Sequence, residues 1–120
     1  IVALKESSGD TRRITDLHNT VGNRFAIFTG VDNLFLEASI LGIDGWVAGS
    51  GIAFPKDNQT LWELTRQGRW EEALHLYRWF TPLLHLDVHT KFVQYIKLMT
   101  QEAGLGKEWT RPPRLPLSGL

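Results

Sequence analysis

Three short apolar runs, each followed by a segment of helical spacing and each bounded by glycine, limit this chain to few folds. Residues 1–7 read as a strand, and Asp10 or Thr11 can cap a following helix that carries Ile14, Leu17 and Val21. Gly22 and Asn23 end that helix. Residues 25–30 (Phe25-Ala26-Ile27-Phe28-Thr29-Gly30) form a second strand pattern, closed by Gly30 and Asp32. Leu34, Leu36, Ala38, Ile40 and Leu41 then crowd a short helix that stops at Gly42, and residues 45–49 give a third strand. Strands spaced by helices in this way predict parallel pairing with right-handed crossovers. Three such strands cannot close a barrel, and left open they would present long apolar edges.

The chain turns helical from about Asp57. Asn58 is a cap for a helix with Leu61 and Leu64, and Gly68 stops it. Trp70, Ala73, Leu74, Tyr77 and Phe80 mark a second amphipathic helix, with a break expected near Pro82. A third helical stretch spans about Asp87 to Ala103, and an extended tail around Arg111–Leu117 is expected to pack on the body. The division is therefore 1–55, three βα units, and 56–120, a helical region with its tail.

Lysine and arginine balance aspartate and glutamate at 13 each, so no net field points to nucleic acid or an anionic membrane. No apolar stretch has membrane-spanning length. Cysteine is absent, which removes disulfides and thiol chemistry and fits a reducing, cytoplasmic setting. The chain opens at Ile1, already inside a strand pattern, and its one methionine is Met99; the expectation is that it forms the later part of a longer protein.

Lys5 is the residue with most chemistry in prospect. Alternation puts it on one strand face with Ile1, Ala3 and Ser7. An ammonium there is costly to bury unless it is paired, neutral or reacting. Desolvation favours the free amine, which attacks carbonyl carbons. The plain alternative is a strand-end lysine reaching for water.

Three blocks resemble the dihydrodipicolinate synthase and N-acetylneuraminate lyase family. Val2-Ala3-Leu4-Lys5-Glu6-Ser7-Ser8-Gly9-Asp10 is similar to the family's lysine strand and loop, Phe28-Thr29-Gly30-Val31-Asp32 to its seventh strand end, and Gly42-Ile43-Asp44-Gly45-Trp46-Val47 to the turn into its eighth. The resemblance implies an α/β fold, the C-terminal part of a (β/α)8 barrel with its last three strands and a C-terminal helical extension. It implies that Lys5 forms an imine with a 2-oxo or imino acid, with no cofactor and no metal. Ser7, Gly30, Asp32 and Val47 match substrate-side positions at the C-terminal ends of strands.

Asn33 stands where the sialic-acid branch has an acid, and Gly49 replaces a substrate-contacting serine, which argues against a long sugar acid. The family's carboxylate-binding hydroxyls and proton-relaying tyrosine belong to earlier strands. The missing N-terminal half is thus an implied partner, tetramers are common in the family, and the chain alone is expected to be inactive. The helix residues Tyr77–Phe80 and His85–Leu98 are most similar to 1-pyrroline-4-hydroxy-2-carboxylate deaminase-like members. Dihydrodipicolinate synthase and 2-keto-3-deoxy sugar-acid dehydratase or aldolase chemistry are the alternatives.

Other motifs carry less. His85 and His89 are spaced by four, which suits a metal on a helix face, but no third ligand accompanies them. Trp62, Trp70 and Trp79 could offer a stacking platform, though their helical spacing favours core packing. Gly49-Ser50-Gly51 lacks the lysine-serine pair of a phosphate loop. A rival of another class is a non-catalytic α/β module binding a partner through its tryptophan-rich helices.

Overall fold

In the computed structural model, which describes residues 1–119, the apolar runs become β1 (Ala3–Glu6), β2 (Ala26–Thr29) and β3 (Gly45–Trp46). They pair in parallel in the order β1-β2-β3, as their spacing predicts. Each is shorter than its apolar run. Register aligns Lys5 with Phe28 and Phe28 with Gly45, so these three share one face. Leu4 aligns with Ile27, and Glu6 with Thr29 and Trp46, on the other.

Helices α1 (Arg12–Val21), α2 (Phe35–Ile40), α3 (Pro55–Arg66) and α4 (Trp70–Leu84) gather around the Ile27 side. Ile14, Ile27, Phe35, Leu61, Phe80 and Leu84 are almost wholly buried there. Each contributes about 1.5–3 kcal/mol by leaving water. Phe35 stacks on Trp46 with centroids 4.0 Å apart and lies 6.2 Å from Trp62, so one aromatic row ties β3 to α2 and α3. Trp62 packs against the core, whereas Trp70 and Trp79 are exposed, so the expectation of a tryptophan-packed core holds for one of the three helical tryptophans.

The helical region departs from the sequence reading in three places. Asn58 is not a cap: α3 starts at Pro55, whose missing N–H costs nothing in a first turn, and Asn58 lies inside the helix bonded to Ser50 Oγ at 3.1 Å. Pro82 does not break α4, which runs on to Leu84. Its fixed φ suits a helix, and the missing N–H removes one backbone bond two residues before the helix ends.

The stretch expected to begin at Asp87 divides into a 3-10 turn, His85–Val88, and α5, Phe92–Glu102, with His89 extended between them. His85 and His89 therefore share no helix face. The tail is anchored at one point, where Gln94 Nε2 donates to the Leu115 carbonyl at 3.2 Å, and is otherwise largely exposed. No helix among the described residues is long and apolar enough to cross a membrane.

Candidate functional site

Parallel pairing brings the C-terminal ends of all three strands to one edge of the sheet. A cleft of about 370 Å³ opens there, lined by Lys5, Ser7, Gly30 and Val47 together with Val31 and Gly49. The helical region supplies the far wall: Asp87, Val88, Phe92 and Ile96. Four of the five residues singled out from sequence thus surround one space.

Gly30 explains how Lys5 reaches it. The Gly30 N–H donates to the Glu6 carbonyl at 2.9 Å, which holds the two strand ends together. A Cβ at position 30 would overlap Lys5 Cε and Ser7 Oγ and would sit 3.1 Å from Lys5 Cδ. The lysine's hydrocarbon stem and the serine hydroxyl therefore lie directly on the bare Gly30 backbone. Val47 is set by its own N–H, which donates to the Thr29 carbonyl at 2.9 Å.

Two expectations are corrected. Lys5 is exposed, not held dry, although its side chain borders the cleft. Asp32 does not face the cleft. It is fully buried, and its carboxylate accepts hydrogen bonds from Trp46 Nε1 (3.0 Å), the Gly49 N–H (3.2 Å) and the Ser50 N–H (2.7 Å). A buried carboxylate must be satisfied, and these donors from β3 and its following turn do that. Asp32 shapes the wall that carries Val47 and Gly49; it does not line it.

Asp87 is the lining residue that sequence spacing does not reveal. Read on a helix, it points away from everything of interest; the 3-10 turn aims it at the strand ends instead. Its Oδ2 accepts the Asp32 N–H at 3.2 Å. Burial pushes the Asp87 carboxyl above the usual carboxylate range, the neighbouring Asp32 charge adds to this, and the Asp32 N–H and Lys5 ammonium oppose it. Gly49 makes room for it, since a Cβ there would come within 2.6 Å of Asp87 Oδ1 and 2.9 Å of Ile96 Cδ1.

Beside the cleft, Tyr77 fixes the turn after β2. Its hydroxyl donates to the Asn33 carbonyl at 2.5 Å and lies 3.1 Å from Glu37 Oε2. Burial and then the Glu37 charge push its ionisation upward, so it stays a neutral donor. Asn33 Nδ2 and His85 Nδ1 are 2.9 Å apart, which spends that histidine on the same turn. His89 Nδ1 accepts the Lys91 N–H at 3.0 Å. No three histidine, aspartate or glutamate side chains among the described residues are grouped to hold a metal. What the cleft offers is one primary amine, one hydroxyl and one half-buried carboxyl.

Comparison with known proteins gives a consistent family. A family model described as the dihydrodipicolinate synthetase family matches residues 1–119. A 4-hydroxy-tetrahydrodipicolinate synthase of Prochlorococcus marinus is 31% identical over an alignment covering 100% of this chain and 39% of that relative. The solved 4-hydroxy-tetrahydrodipicolinate synthase of Methylacidiphilum fumariolicum SolV superposes with a TM-score of 0.87 at 29% identity, covering 98% of this chain and 39% of its own. A dihydrodipicolinate synthase of Acinetobacter baumannii, solved with pyruvate, shares the fold with a TM-score of 0.85 at 24% identity, over 98% of this chain and 40% of that one. The chain spans about 40% of the length of the curated relatives it matches.

Proposed function

Because this chain belongs to the dihydrodipicolinate synthetase family, we propose that it carries the amine-bearing side of a Schiff-base enzyme acting on a 2-oxo acid or a cyclic imino acid. The observation that supports this is the convergence of Lys5, Ser7, Gly30 and Val47 on one cleft at the strand ends. The Lys5 nitrogen adds to the keto carbon, the carbonyl oxygen leaves as water, and a protonated imine remains. Its positive nitrogen draws electrons from the adjacent carbon, which loses a proton to become an enamine, or breaks a bond to a leaving group. The protons of these steps pass to and from the proton relay of the remaining strands, and the reading calls on no cofactor.

In this reading the three strands are the last three of a (β/α)8 barrel and residues 56–120 are its helical extension. The open face at Lys5 then meets the remaining strands, which dry the amine and supply the carboxylate clamp and proton relay. Assembly into a tetramer belongs to the same reading. The narrower assignment, deamination of 1-pyrroline-4-hydroxy-2-carboxylate, draws on the outer helix residues 77–80 and 85–98 alone. The Prochlorococcus relative instead bears a synthase name.

Borohydride reduction in the presence of pyruvate tests the proposal in the intact protein. A stable adduct mapped to Lys5, and lost in Lys5→Ala, is expected. Labelling that survives in Lys5→Ala rejects the assignment.

A further inference from the structure

The cleft has one wall that the strands do not supply, and its polar group is Asp87. Resting on the Lys5 reading above, we propose that Asp87 is a specificity-determining residue. It faces the part of the bound acid beyond the imine carbon, so that the site takes 2-oxo acids bearing a hydroxyl or amine there and rejects those with a second carboxylate.

Three features of the structure support this. First, the carboxyl is held in place and only half used: Oδ2 takes the Asp32 N–H at 3.2 Å, while Oδ1 takes no hydrogen bond among the described residues and lies toward Gly49. Second, Gly49 and Ile96 shape its position, since any side chain at 49 would occupy the space of Oδ1. Third, the charges that face it favour a donor. The Asp32 carboxylate is spent on three donors of its own, and the positive charge of Lys5 is carried over onto the protonated imine at the reacting carbon. A distal carboxylate would meet Asp87 with no cation among the described lining residues besides the imine nitrogen itself, between apolar neighbours that strengthen the repulsion. A hydroxyl or amine would instead donate to Oδ1.

The test is the rate of borohydride trapping at Lys5 in the intact protein with pyruvate, 4-hydroxy-2-oxobutanoate and 2-oxoglutarate. The quantity read is the ratio of the last two rates within each variant, so that a general loss of reactivity cancels. In the wild type, the hydroxy acid is expected to be trapped about tenfold or more faster than 2-oxoglutarate, each relative to its own reactivity with free lysine. Asp87→Asn keeps an oxygen for the Asp32 N–H and removes the charge, and it should bring that ratio close to one.

Gly49→Ala displaces the carboxyl without deleting it and should lower the ratio as well, which decides the matter if the asparagine variant does not fold. A wild type without the preference, or folded variants that keep it, overturns the inference while leaving pyruvate trapping at Lys5 intact. Failure to label Lys5 with pyruvate overturns the Lys5 reading and this inference together.

Discussion

Gly30→Ala separates the cost of folding from the cost of chemistry at this cleft. The Gly30 backbone is outside the left-handed region, so alanine is accepted there without backbone strain. The new Cβ overlaps Lys5 Cε and Ser7 Oγ and crowds Lys5 Cδ at 3.1 Å, all atoms of side chains that can turn aside. Each can swing aside for about 0.5–1.5 kcal/mol of rotamer cost, so stability should fall by about 1–3 kcal/mol. The amine, however, leaves its seat on the strand end by roughly an ångström. A misplacement of that size costs about 100-fold in rate, equivalent to about 2.7 kcal/mol of barrier. The assay is borohydride trapping with pyruvate at Lys5, paired with denaturant unfolding of the same preparation. Trapping at the wild-type rate would refute the reasoning, since it would show that the lysine does not depend on bare backbone at this position; a variant that does not fold would refute the modest stability cost.

Two further outcomes follow from the buried carboxyls. Asp32→Asn leaves at least one of the Trp46, Gly49 and Ser50 donors unpaired whichever way the amide turns, and should lower stability by about 1–3 kcal/mol in urea unfolding; an unchanged midpoint contradicts the bonding described. Asp87 binds its proton more tightly folded than unfolded, so its contribution is fully present below the unfolded carboxylate range and is lost as pH rises through the raised folded value. Asp87→Asn should therefore raise the melting temperature at pH 8 relative to wild type but not at pH 3, and a gain that is equal at both pH values rejects the assigned burial.

The strand order was readable because period-two runs closed by glycine leave little freedom, and Gly30 and Gly45 both proved to be places where another side chain lies on bare backbone. Lys5 and Ser7 were readable on one face for the same reason, since strand parity fixes where they point, whereas Val47 was legible only through the family resemblance. Asp32 was not. Its sequence neighbours say only that it follows a strand, while its role depends on three donors 14 to 18 residues later. Asp87 was hidden more deeply. A local change from helix to 3-10 turn rotates its side chain, and only the packing of that turn against the Asp32 turn gives it a purpose. Pro82 misled in the opposite direction, since a breaker placed two residues from a helix end breaks almost nothing.

The single carboxylate of Asp32 gathers hydrogens from β3 and from the turn beyond it, while the amide of the same residue reaches across to Asp87. Strand wall and helical wall are thereby fastened to one point. Their thermal fluctuations should be correlated, so the width of the opening between them is kept nearly constant.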